Sequence, residues 1–207
     1  MPDNNTQKST TVVLLIIALT AWSAIIFQAF LTTGSFGNLF SYFTILTNLL
    51  VAISCTANLF FRRSNTRNFF EIPSVQTAIA LYIFIVALVY NTVLRGLVTL
   101  NGWSIVVDTL LHVVVPIFYI VYWALFVPKG TLQYPQSFKW LVFPFCYLLY
   151  SLIRGTMYNW YPYPFLNVTE NGYQKVLLNA CMLLLVFMMT GFALIWLDRR
   201  LNKSDTK

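Results

Sequence analysis

The sequence predicts an all-α integral membrane protein, a bundle of six transmembrane helices with both termini in the cytoplasm. Residues 1–207 form a single transmembrane domain. Three observations predict this. Hydrophobic residues make up 58% of the 207, charged residues only 9%, and mean hydropathy is +0.70. A soluble domain carries about 25% charged residues, so this chain cannot cover a water-facing surface. Six apolar runs are each near the ~20 residues that cross a hydrocarbon core as a helix. Finally, Lys and Arg are distributed unevenly over the connections between those runs.

The runs cover roughly residues 11–32, 39–61, 74–98, 104–127, 138–158 and 173–197. The first is too long for a cleavable signal, and Trp22 and Gln28 stand where small residues would be wanted. Lys8, Arg62, Arg63, Arg67, Lys129, Lys139, Arg199, Arg200, Lys203 and Lys207 fall on one side, ten of the thirteen Lys and Arg. Arg95, Arg154 and Lys175 fall on the other. The positive-inside rule then puts both termini in the cytoplasm, which for a bacterial chain means a multi-pass protein of the cell membrane. The net charge of +7 comes from these rims. The basic residues flank spans rather than forming one face, so no nucleic-acid partner is implied, and membrane lipids are the expected surroundings. Cys55, Cys146 and Cys181 lie in apolar runs without ligand spacing, and one His cannot complete a zinc site. No metal or other cofactor is implied.

Polar residues recur at one depth. Spans 2 to 6 carry Thr44 and Asn48, Arg95, Asp108 and His112, Arg154, and Asn179 in their outer halves. The inner halves read as nearly free of such groups. Charges in a bilayer cost several kcal/mol unless they pair or line a wet cavity, so a shared outer cavity is expected. Asp108 and His112 stand at i and i+4, one helix face. Asp108 is suited to orient His112 as a base, and Arg95 or Arg154 could instead be its partner. Pro116 lacks the N–H that the His112 carbonyl would accept, so the helix should bend beside the histidine. Thr44 shares a face with Asn48 and has Thr47 as a competitor. Arg95 and Arg154 carry the planar fork that suits a carboxylate or an oxyanion. The ends of spans 3 and 5 echo one another: VYNTVLRG and then NGW, against LLYSLIRG and then NW. The 5–6 connection, YNWYPYPFLNVTENGY, is stiffened by aromatic–proline junctions and should fold over the bundle.

The pieces YFTILTN, LLHVVVP and WYPYPFL, in this order and spacing, resemble the androgen-induced/FAR-17a-like family of integral membrane hydrolases and its bacterial relatives. The resemblance spans helices 2 to 6. It implies a hydrolase of lipid-like esters, such as fatty acid esters of hydroxy fatty acids. The family's intramembrane threonine nucleophile falls on Thr44 and its histidine on His112, and its YPFL segment falls on Tyr163 to Leu166. Asp108 is then catalytic as the orienting group. Arg95, Arg154, Asn48, Asn179 and Tyr163 are the expected substrate-binding residues. The rival expectation is a non-enzymatic lipid or small-molecule binder, or a proton-linked transporter. Acyl length and oligomeric state are not legible in the sequence.

Overall fold

The computed structural model describes residues 4–61 and 68–202. Arg62, Arg63, Arg67, Lys203 and Lys207, which carry half of the basic rim, lie outside the described residues. Helix accounts for 82% of the structure, with no strand among the described residues. Among the described residues six helices are long and apolar enough to cross a membrane.

Span 1 is α1 (Asn4–Leu31). A short helix α2 (Phe36–Leu39), capped by the Ser35 hydroxyl, precedes α3 (Phe43–Phe61), which is span 2. Span 3 is α4 (Pro73–Val89), opened by a proline at its first turn where no N–H is needed. It continues as a π-turn over Tyr90–Leu94. Span 4 runs through α5 (Trp103–Thr109), a second π-turn (Leu110–Val114) and α6 (Val115–Phe126). Span 5 is α7 (Gln136–Trp140) followed by α8 (Val142–Tyr158), and span 6 is α9 (Val168–Arg200), kinked at Gly172.

The apolar run 39–61 is therefore not one helix. The chain breaks between Leu39 and Phe43, because Ser35 caps a separate turn and Ser41 bonds back to the Gly37 carbonyl at 2.5 Å. Thr44 becomes the second residue of α3 rather than a residue several positions inside the span. The run 74–98 also ends early, at Leu94, where Arg95 turns to extended backbone (ψ 127°).

Packing follows the small residues. Helix α1 lies along α3, and Ala21, Ala24 and Ala52 are fully buried. Small side chains let helix backbones approach closely where lipid provides no hydrophobic drive. Cross-helix hydrogen bonds add to this. Trp22 donates to Thr56 (3.1 Å), Gln76 to Tyr122 (3.1 Å), Trp123 to Thr77 (2.8 Å) and Trp140 to Ser74 (3.1 Å). Trp22 and Trp140 thus join helices. Large apolar side chains point outward instead: Phe30 is 82% exposed and Leu125 71%. Water would not tolerate so many of them.

The half that the sequence reads as inner is not free of polar groups, contrary to that reading. Asn58, Gln76, Thr77, Ser137 and Asp198 are buried there. Their partners explain it. Asp198 accepts the Gly130 and Leu132 N–H groups at 3.0 and 3.1 Å, which fixes the connection between spans 4 and 5. A carboxylate beside the charged cluster DRR reads in sequence as part of the rim, so its burial was not legible there.

Candidate functional site

The site begins with two missing backbone bonds. In the π-turn of span 4 the Val115 N–H reaches back to the Leu110 carbonyl, five residues away. The Leu111 carbonyl loses its usual partner, since Val115 is taken and residue 116 is proline. The His112 carbonyl loses its partner to the same proline. Orphaned carbonyls in an apolar interior are costly, so other donors must satisfy them. Two asparagines do so. Asn48 Nδ2 donates to the Leu111 carbonyl at 3.2 Å, and Asn91 Nδ2 donates to the His112 carbonyl at 3.3 Å. Each amide also bonds its own helix: Asn48 to the Thr44 carbonyl (2.8 Å) and Asn91 to the Ala87 carbonyl (2.8 Å). Spans 2 and 3 are thereby tied to span 4 beside His112.

The side chains build on this frame. His112 Nδ1 lies 3.0 Å from Asp108 Oδ1 and 2.9 Å from the Asp108 carbonyl. Both side chains are mostly buried, at 13% and 19% exposure. A ring nitrogen held between two oxygens carries the proton, which leaves Nε2 as the basic nitrogen. Tyr90 stacks on the imidazole with ring centroids 3.6 Å apart and planes 12° off parallel. Its hydroxyl faces the Asp108 carboxylate, and Arg95 adds positive charge nearby. The Arg95 guanidinium donates to Asn91 Oδ1 at 2.9 Å and is otherwise exposed.

A cleft with about 640 Å³ of empty space, mouth included, lies between spans 2, 3, 5 and 6 and is covered by the 5–6 connection. Its walls are apolar, with Ile85, Val86, Leu148, Leu183 and Phe187 among them. Thr44, Tyr90, Tyr147 and Tyr163 are the lining residues that carry hydroxyl groups. Thr44 Oγ1 is 3.4 Å from the Tyr163 hydroxyl, and the Thr44 N–H donates to the same oxygen at 3.3 Å. Thr47 is fully buried and absent from the cleft wall. His112 is also absent from the wall, where Tyr90 takes its place.

The sequence-derived set therefore divides. Thr44, Asn48 and Tyr163 form one group, and Asp108, His112 and Arg95 form a second, joined to the first through Asn48. No hydrogen bond links Thr44 to His112 among the described residues. Asp108 takes His112 as its close partner, rather than either arginine. Arg154 lies elsewhere, donating to Asn38 Oδ1 at 2.6 Å and sitting over the Trp160 ring at 4.6 Å. Asn179 donates to the Phe165 carbonyl at 3.0 Å and so anchors the 5–6 connection to span 6. Tyr90 and Asn91 did not emerge from the sequence. The signal was there in the echo: Tyr90 stands five residues before Arg95, but Tyr150 only four before Arg154. One extra residue in a helix is what makes a π-turn, and such turns gather at functional sites. Among the described residues no group of three metal-ligating side chains forms.

By fold, the protein is all-helical among the described residues, with six long apolar helices compatible with a multi-pass membrane protein. No family model, no curated protein and no solved structure matches it.

Proposed function

We propose that the protein is a membrane-embedded hydrolase of lipid-like esters, with both termini in the cytoplasm. One observation carries the reading: a threonine on the wall of an apolar cleft, one asparagine bridge away from a mostly buried Asp–His pair. The Asn48 amide holds the Thr44 carbonyl and the Leu111 carbonyl at once. The resemblance of YFTILTN, LLHVVVP and WYPYPFL to the androgen-induced hydrolases supports the same assignment.

In this mechanism Thr44 Oγ attacks the ester carbonyl carbon while its proton passes to His112 Nε2. Asp108 holds the Nδ1–H tautomer and stabilises the imidazolium. The tetrahedral intermediate collapses, the C–O bond to the alcohol breaks, and the alkoxide takes the proton from His112. A water then gives its proton to His112 and attacks the acyl-threonine, which frees the acid and Thr44. The imidazole reaches the cleft once Tyr90 turns off it. Catalytic hydrogen bonds that are absent without substrate form in the complex with substrate. The apolar walls take the acyl chain, and Arg95, exposed beside the Asp–His pair, is placed to meet a substrate carboxylate.

The test is hydrolysis of fluorogenic acyl esters of short and long chains by purified protein in detergent. Wild type should hydrolyse them and His112→Ala should not. A second reading, a lipid binder or proton-linked transporter, is favoured by the pairing of Thr44 with Tyr163 and of His112 with Asp108 instead of with each other. Folded wild type that cleaves no chain length would select it.

A further inference from the structure

The residue in hydrogen-bond reach of the Thr44 hydroxyl is Tyr163, and its placement is over-determined. The phenol ring stacks on Phe165 (5.2 Å between centroids, 3° between planes) and meets Tyr42 edge-on at 5.7 Å. The turn that carries it is pinned from span 6. Asn179 donates to the Phe165 carbonyl at 3.0 Å, and Asn171 donates to the Pro164 carbonyl at 2.9 Å. Ring packing and these hydrogen bonds hold the loop residue in place.

What it faces is equally specific. Thr44 is the second residue of α3, so its N–H has no partner within the helix. The next two N–H groups, of Ile45 and Leu46, are taken by the Tyr42 carbonyl. The Thr44 N–H is left pointing at the Tyr163 oxygen, 3.3 Å away, with the Thr44 hydroxyl 3.4 Å from that same oxygen. Two donors, one N–H and one O–H, thus converge beside a hydroxyl on the wall of the cleft. The same geometry could serve a base that takes the Thr44 proton or a donor that binds an oxyanion. Burial decides between them. It raises the pKa of Tyr163 above the ordinary tyrosine value, outweighing the opposing hydrogen bonds from Thr44. A phenol held protonated donates; it does not accept a proton.

We propose that Tyr163 Oη–H and the Thr44 backbone N–H together form the oxyanion site of the hydrolysis. The inference rests on the hydrolase reading above. When a substrate carbonyl enters, its oxygen replaces the Tyr163 oxygen as acceptor of the Thr44 N–H. The Tyr163 O–H swings from the Thr44 hydroxyl onto the same carbonyl oxygen. Both bonds shorten as charge develops there, so they act on kcat more than on KM. Tyr163 is then a catalytic residue and not a wall of the cleft, which gives the stiff 5–6 connection a chemical task.

The experiment compares wild type with Tyr163→Phe on a fluorogenic acyl ester and on the matching thionoester, whose sulfur is a poor acceptor. The expected result is a fall in kcat of about 10²–10³-fold, as for loss of one oxyanion donor. KM should stay within a few-fold, and the ester-to-thionoester rate ratio should shrink toward one. An unchanged kcat, or an unchanged ratio, overturns the proposal while leaving the hydrolase reading intact. Wild type that hydrolyses no ester overturns both. If Tyr163→Phe does not fold, 3,5-difluorotyrosine at position 163 keeps the ring and its packing while making the phenol more acidic. The alkaline limb of the kcat profile should then move to lower pH, and an unmoved limb overturns the proposal.

Discussion

Spans 3 and 5 end in nearly the same words and do different things with them. Tyr90-Asn-Thr-Val-Leu-Arg95-Gly96 carries one residue more between tyrosine and arginine than Tyr150-Ser-Leu-Ile-Arg154-Gly155. In span 3 the surplus residue is absorbed as a π-turn, with the Arg95 N–H bonded five residues back to Tyr90 at 2.7 Å. Tyr90 then lies flat on His112, Asn91 reaches the His112 carbonyl, and Arg95 stays exposed beside Asp108. Span 5 stays α-helical to Tyr158. Its Tyr150 meets the Ser41 hydroxyl at 2.7 Å, and its Arg154 is spent on Asn38 and Trp160. One set of residues assembles a titratable cluster at the edge of a cleft. The other fastens α2 and the 5–6 connection to the bundle. One inserted residue can turn a helix end from a fastening into part of a titratable cluster.

The largest expected effect comes from removing that insertion. Deleting Thr92 gives span 3 the spacing of span 5. Thr92 is exposed and bonds only its own helix, to the Leu88 carbonyl at 2.7 Å. The bundle should still fold, by circular dichroism and gel filtration. Ester hydrolysis should fall by at least about 10²-fold, since misplacement by about 1 Å costs that much. Full activity in the deletion variant would mean that the π-turn has no part in the chemistry.

The two glycines separate the ends further. A Cβ on Gly155 would stand 1.9 Å from the Tyr161 ring, whereas one on Gly96 would meet nothing within 4 Å. Gly96 instead has φ +89°, where a side chain is strained. Gly155→Ala should cost about 3 kcal/mol, the upper end for overpacking, because the added carbon meets a ring. Gly96→Ala should cost about 1–2 kcal/mol by backbone strain alone. Thermal unfolding in detergent ranks them. The reverse order would contradict the assignment of span 5 as the mechanical end.

The smallest expected effect lies at the far end of the bundle, away from both motifs. Lys129 donates to the Trp123 and Val127 carbonyls and sits over the Trp123 ring at 4.3 Å. Burial lowers its pKa from 10.5 to about 8, against the opposing pull of Asp198. The unfolded chain therefore binds a proton between about pH 8 and 10.5 that the folded chain has lost. Stability should rise with pH across that window, and the full cost of burying the charge is present below it. Lys129→Gln should flatten the slope, measured as Tm against pH. An unchanged slope would show that Lys129 is solvated.

Much of this was legible in the sequence, and what was not has physical causes. Hydropathy and length marked six spans, because a bilayer rewards long uniform runs. They could not mark the break at Phe40–Tyr42, since both sides of it are apolar and the break is made by the Ser35 and Ser41 hydroxyls. That break moved Thr44 to a helix start and supplied the free N–H that Tyr163 meets. Depth counting gathered Thr44, Asn48, Asp108 and His112, which lie in neighbouring groups, but it also drew in Arg154 and Asn179. Depth fixes a level along the axis and not a direction around it. Asn179 was legible as polar, yet its partner is a loop carbonyl that no periodicity reveals. Pro116 did announce a freed His112 carbonyl. What it could not announce was Asn91, across the interface, waiting to satisfy it.

In the proposed mechanism Thr44 is the group acylated in the cleft. The direct measurement is to label purified wild type with a long-chain fluorophosphonate and locate the adduct by peptide mass spectrometry, with Thr44→Ala and Thr47→Ala alongside. The account predicts a single adduct on Thr44, absent from Thr44→Ala, absent after His112→Ala, and undiminished in Thr47→Ala. Labelling of folded wild type at any other residue, or full ester hydrolysis by Thr44→Ala, would contradict it.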